Sequence, residues 1–195
     1  MKFLPHRFVI PVVLFFALLA NSSRGQVKET AVQTMRLQVY GVGSYTRPQI
    51  GPYTSAGGFG VGGALGFRIS HLPRIEPSLD VRYTYSTNND NTQTFKGGGL
   101  RVTYNAARFH PYGDFMYGVG NINFKRPGST YTHDDSYVPM FGGGVDIDVT
   151  RTFALRADFQ RQRWQLGANS LPFYPTQASL GLRYQFHLHN RFGPY

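Results

Sequence analysis

The chain has 195 residues, no cysteine, 23 Gly, 13 Tyr, 16 Phe and a formal net charge of +10. That length fits one domain, and the lack of cysteine excludes a disulfide framework and any thiolate metal site. Only 15% of the residues are charged, and a low charge share with many glycines and aromatics fits an all-β protein.

Residues 1–25 read as a cleaved signal peptide. Lys2, His6 and Arg7 supply a basic start. Phe8 to Ala20 is an apolar core too short to span a bilayer as a stable helix. Ser23 and Gly25 stand at −3 and −1 for a cut before Gln26, and Ala20 with Ser22 offers a cut three residues earlier. Removing 25 residues from 195 leaves 170, and losing Lys2, Arg7 and Arg24 lowers the formal charge from +10 to +7. No later run approaches the roughly 18 apolar residues of a transmembrane helix. The rest of the chain can therefore enter a membrane only as a closed barrel, in which every strand finds its backbone partners in a neighbour.

Eight segments then alternate with period two, so that each has an apolar face and a small or polar one. The first, Met35 to Tyr45, sets Leu37, Val39, Gly41 and Gly43 against Gln38, Tyr40 and Val42, and its facing is open. The second sets Phe59, Val61, Leu65, Phe67 and Ile69 against glycines and Arg68. The third and fourth set Leu79, Val81, Tyr83 and Tyr85 against Asp80 and Arg82, and Leu100, Val102 and Tyr104 against Arg101. The fifth sets Phe115, Tyr117 and Val119 against Asp114 and Met116; the sixth sets Phe141, Val145, Ile147 and Val149 against Asp146 and Asp148. The seventh sets Phe153, Leu155, Ala157 and Phe159 against Arg156 and Asp158, and the eighth sets Leu180, Leu182, Tyr184 and Phe186 against Ser179, Gly181 and Arg183. The repetition predicts an all-β fold, an eight-stranded antiparallel up-and-down transmembrane β-barrel over residues 26–186, with a short tail at 187–195.

The connections alternate in length. Ser70 to Arg74, Asn105 to Pro111 and Thr150 to Thr152 are tight, while Thr46 to Ser55, Thr87 to Thr94, Asn121 to Ser136 and Gln162 to Thr176 are longer and rich in turn formers. In outer-membrane barrels short turns face the periplasm and long loops face outside, which places both termini in the periplasm. Tyr45, Phe67, Tyr85, Phe95, Tyr104, Phe115 and Phe153 are candidates for the two aromatic girdles.

Ser179-Leu180-Gly181-Leu182-Arg183-Tyr184-Gln185-Phe186 resembles the β-signal of bacterial outer-membrane proteins, with a polar residue, a Gly two places on, and two aromatics one residue apart. Phe141-Gly142-Gly143-Gly144-Val145-Asp146 and Arg108-Phe109-His110-Pro111-Tyr112 are similar to segments common in the same proteins. With the signal peptide and the eight strands, the chain resembles the OmpA-like eight-stranded outer-membrane β-barrel family across most of residues 33 to 186. The resemblance implies an integral protein of the outer membrane of a Gram-negative-type bacterium. It also implies that Ser179, Gly181, Tyr184 and Phe186 present the last strand to the barrel-assembly machinery. His187 to Tyr195 follow that signal, a departure from the family habit of ending on the aromatic.

The minor face carries Arg68, Arg82, Arg101, Arg156 and Arg183 with Asp80, Asp114, Asp146, Asp148 and Asp158. An eight-stranded interior is just wide enough to be filled by its own side chains, and buried charges need partners. The balanced signs predict an ion-pair network that closes the lumen. The alternative is a narrow pore or passage for small or apolar molecules. A third reading, a soluble lipocalin-like binding barrel, turns the apolar face inward.

Catalysis and metal binding find little support, and no cofactor is expected. His71, His110, His187 and His189 fall at predicted periplasmic turns or in the tail, and His133, beside Asp134 and Asp135, reads as a solvated loop residue. His187-Leu188-His189 lacks further ligands for a metal, and the glycine runs lack the Lys-Ser/Thr that follows a phosphate loop. Arg47, Lys96, Lys125, Arg126, Arg161 and Arg163 are scattered near loop mouths without a platform for bases. Outer-membrane lipids and lipopolysaccharide phosphates are the expected partners there, not nucleic acid, and the barrel is expected to be monomeric.

Overall fold

A computed structural model of the protein describes residues 35–47, 55–69, 71–125, 133–165 and 172–187. The signal segment, Arg126 and His189 lie outside them. Eight strands follow one another: β1 (Met35–Arg47), β2 (Ala56–Phe67), β3 (Ile75–Thr87), β4 (Asn91–Tyr104), β5 (Phe109–Phe124), β6 (His133–Asp148), β7 (Phe153–Gln162) and β8 (Thr176–His187). Each pairs antiparallel with the next, and β1 pairs with β8 to close the barrel. Closure leaves every strand flanked on both sides, the condition under which strands can occupy a bilayer.

The two faces are chemically opposite. Leu79, Val81, Leu100, Phe115, Leu155 and Leu182 stand exposed on the outside, while Asp80, Arg82, Arg101, Asp114, Arg156 and Arg183 are buried inside. A soluble barrel of lipocalin type needs the reverse. The open facing of β1 is decided by its neighbours: Gln38, Tyr40 and Val42 are buried in the lumen, and Leu37 and Val39 face out.

Sequence patterning places the strand bodies well and some of their loop-side ends poorly. β4 begins at Asn91 and runs as a ladder with β3 from Thr87↔Thr92 onward. The expected long connection Thr87 to Thr94 is thus a tight hairpin, closed by the Asn88 side chain, which accepts from the backbone of Asp90 and Asn91 at 2.9 and 2.7 Å. Likewise β5 reaches Phe124 and β6 starts at His133, so most of the described Asn121 to Ser136 segment is ladder rather than loop. At the opposite end β5 starts at Phe109, which brings Phe109, His110 and Pro111 out of the expected turn and into the strand. At the loop-side ends polar residues such as Thr92, Thr94, Asn121 and Asn123 take the outer face, so the contrast that marks a strand in sequence disappears there. The β4–β5 turn is tight enough to hold Ala107 at φ 48°, a left-handed conformation that costs a non-glycine residue about 1 kcal/mol.

Aromatics crowd the outer surface towards both ends. Phe59 meets Tyr85 at 5.5 Å and Tyr117 stacks on Tyr137 at 6.1 Å near the loop end. Phe153, Tyr184 and Phe186 pack edge to face at 5.1 and 4.7 Å near the turn end. Two girdle expectations change. Phe115 lies mid-strand, opposite Phe141, and Phe95 points into the lumen at 1% exposure. Phe95 sits on the same strand face as Arg101, so it is enclosed in the lumen, whereas its neighbour Lys96 is exposed on the outside.

Candidate functional site: a filled lumen

Along the lumen the buried charges meet in pairs. Arg156 grips Asp146 through two parallel bonds, Nε to Oδ1 at 2.7 Å and Nη2 to Oδ2 at 2.8 Å. Such a bidentate fork fixes geometry as well as charge. Arg101 pairs with Asp80. Arg82 Nη2 reaches Asp158 at 3.3 Å and Asp114 at 3.6 Å, and Gln160 Nε2 donates to Asp114 at 3.1 Å. Arg183 bonds Asp148 at 2.7 Å and lies 3.5 Å from Asp146. Asp148 also receives His110 Nε2 at 2.8 Å.

Two tyrosines hold this network together. The Tyr40 hydroxyl donates to Asp80 at 2.8 Å and accepts from Arg82 Nε at 3.0 Å. Its ring lies 4.1 Å from the Arg156 guanidinium carbon, and the Tyr112 ring lies 4.5 Å from that of Arg101. Guanidinium groups and rings thus alternate across the barrel, and each cation gains an attraction to the ring face. The backbone makes room for the rings. A Cβ on Gly62 would collide with the Tyr40 hydroxyl, so glycine is required where the ring crosses β2.

Nine of the ten predicted network residues stand in or at the edge of this belt. Asp148 occupies the edge, with 35% of its side chain exposed. Arg68 departs from the expectation. β2 ends at Phe67, so Arg68 falls in the turn, exposed, and pairs with no acid among the described residues. Arg36 takes a related role, pairing with Glu76 at 3.2 Å. Tyr40, Tyr112, Glu76, Arg36 and Gln160 also belong to the filling and lie outside the Arg/Asp alternation visible in the sequence. Tyr40 was detectable, since it shares a parity with Gln38.

Towards the loop end the filling changes character. Phe95, Met116, Ile122, Val138, Met140 and Trp164 form one buried apolar cluster. Trp164, 1% exposed, stacks on Phe173 at 6.0 Å, and the two are bridged backbone to backbone. Its indole N–H donates to Gln162 at 2.7 Å. A Cβ on Gly120 would strike the Trp164 ring.

At the turn end a cavity of about 350 Å³ opens beneath the charged belt, reached by Arg36, Arg68, Glu76, His110, Asp148, Arg151 and Arg183.

The predicted assembly residues lie on the strand that closes the barrel. Ser179 and Gly181 face inward, Tyr184 and Phe186 outward. His133, expected in a loop, begins β6 and bonds Asn123 at 2.8 Å, with Asp135 at 3.4 Å, all on the exposed surface. Among the described residues no group of three or more His, Asp or Glu is placed to hold a metal ion. Lys125 ties two hairpins, donating to Thr87 and Asn88 at 2.8 Å each. Arg161 lies over the Tyr174 ring at 5.1 Å.

Comparison with known proteins places this geometry. Residues 13–195 match the family described as outer membrane protein beta-barrel domain. Among solved structures, neisserial surface protein A is similar with a TM-score of 0.55 and 19% identity, over 78% of this chain and 97% of that one. Ail, the attachment invasion locus protein of Yersinia pestis, gives 0.53 and 13%, over 79% and 99%. The outer membrane protein OprG of Pseudomonas aeruginosa gives 0.51 and 11%, over 80% and 98%. At these identities the likeness is one of fold. No curated protein matches the sequence.

Proposed function

The chain belongs to the outer membrane protein beta-barrel domain family, and from that premise we propose that it is a non-catalytic structural and surface-interaction barrel. In this reading the lumen is closed, the loop end faces the cell exterior, and both termini lie in the periplasm. The observation that carries it is the filling of the barrel at two levels: Tyr40 and Tyr112 interleaved with Arg82, Arg101 and Arg156, then the apolar cluster around Trp164. A molecule crossing the lumen would have to displace both. The body is then a scaffold, and contacts with the surroundings fall to the loop end.

At that end Lys96 is exposed on the outer surface, opposite Tyr83 and Val119. With Lys125, Arg161 and Arg163 it forms a set of exposed cations suited to lipopolysaccharide phosphates. Outer-membrane lipid and lipopolysaccharide are therefore the proposed partners of a monomer, and Ser179, Gly181, Tyr184 and Phe186 its proposed signal to the assembly machinery.

Planar-bilayer recording of the refolded protein tests the closed lumen. Silent bilayers are expected, whereas steady single-channel conductance would establish the pore reading instead. Fractionation followed by heat-modifiable gel mobility tests location, and recovery in the soluble periplasm overturns it.

A further inference from the structure

We propose that the turn-end cavity binds a small soluble oxyanion, a molecule carrying two or more phosphate or carboxylate groups. At about 350 Å³ it lies within the size range of small-molecule sites, roughly 300–1,000 Å³. On the closed-lumen reading proposed above, the charged belt caps its inner end and makes it a blind pocket.

Its charge is lopsided. Four arginines line it, Arg36, Arg68, Arg151 and Arg183, against Glu76 and Asp148. Both acids are already engaged, Glu76 by Arg36 at 3.2 Å and Asp148 by Arg183 at 2.7 Å and His110 at 2.8 Å. Arg68 and Arg151 have no acidic partner among the described residues, and both are exposed at the mouth. The turns around the mouth, 68–74, 105–108 and 149–152, add Arg74 and Arg108 and contain no Asp or Glu. Deeper in, Arg183 is 6% exposed and its Nε has no hydrogen-bond partner, as does His110 Nδ1.

An oxyanion answers each of these features. Two unpaired guanidiniums at a mouth with low-dielectric walls attract and concentrate a dianion. Arginine then matches carboxylate or phosphate oxygens with paired N–H donors, and the buried Arg183 Nε supplies a donor further in. The strand residues of the lining, among them Arg36, Gln38, Glu76 and Arg183, stand on the inner face rather than the lipid-facing surface, which favours a ligand from the aqueous side over a lipid headgroup.

The test uses the refolded barrel in uncharged maltoside micelles, titrated with inorganic pyrophosphate and with citrate. Calorimetry and the NMR signal of the Arg183 Nε–H follow binding. Saturable binding that moves that signal is expected. The double variant R68Q/R151Q, at exposed positions and checked for heat-modifiable mobility, should weaken it about tenfold. Failure of both anions to saturate overturns the proposal, as does a double variant that binds as tightly as the parent. A shift of Arg183 seen only in nanodiscs containing phosphatidylglycerol also overturns it, by assigning the cavity to a lipid.

Discussion

The lumen is lined at two levels, by opposite means. In its middle, Arg156 and Asp146, Arg101 and Asp80, and Arg82 with Asp158 are buried in ion pairs braced by tyrosine rings. Towards the loops, Phe95, Met116, Ile122, Val138, Met140 and Trp164 fill the same cross-section with apolar atoms. Apolar packing degrades gradually, because each lost side chain removes its own contacts and leaves a cavity. A buried ion pair fails abruptly, since removing one partner strands the other as an uncompensated charge. The middle of the barrel therefore specifies its arrangement more sharply, and the loop end tolerates more variation.

The largest effect is expected where a charge is stranded. Arg156→Ala leaves Asp146 with only the longer Arg183 contact and should cost about 4 kcal/mol in urea unfolding from lipid vesicles. The double replacement R156M/D146L should recover most of that loss. A double variant no more stable than the single one would show that the belt does not obey this asymmetry. In the apolar region, Trp164→Ala removes the ring, its stacking on Phe173 and the bond to Gln162, at about 3 kcal/mol. Bilayer recordings of both variants sharpen the contrast: each should stay silent, because the other level still fills the lumen.

Gly120→Ala presses a methyl group into the Trp164 ring and should cost about 2 kcal/mol. Combined with Trp164→Leu the penalty should shrink, and a double-mutant cycle reads the coupling directly. The smallest change lies outside both regions. Ala107→Gly relieves a left-handed residue in the β4–β5 turn and should gain about 0.5–1 kcal/mol. Equal stability of the two proteins would mean that the turn relaxes without help.

Legibility in the sequence followed the bilayer. Where a strand has lipid on one side and a packed lumen on the other, the two faces demand opposite residue types, and Leu79-Asp80-Val81-Arg82 can be read without coordinates. Beyond that zone the demand disappears: Thr92, Thr94, Asn121, Asn123 and Asp135 lie in ladders that look like loops in sequence. Phe95 misled for a related reason, since an aromatic near a strand end suits an outer girdle or an inner plug equally. Tyr112 follows an expected turn and precedes the fifth alternating segment, so nothing in the sequence marks it, although its ring is half of the belt's tyrosine pair.

By itself the sequence determined the class of structure, because period-two alternation repeated eight times leaves one way to bury every backbone polar group in a membrane. It also grouped most of the interior charges on one face, since parity sends alternate residues of a strand to the same side. Which Arg meets which Asp was decided only by tertiary structure. Partners such as Arg82 and Asp158 lie on β3 and β7, strands that never pair, and come within 3.3 Å because the sheet closes on itself. The exclusion of Arg68 from the belt and its place over the turn-end cavity were decided in the same way, by where β2 stops and the chain turns.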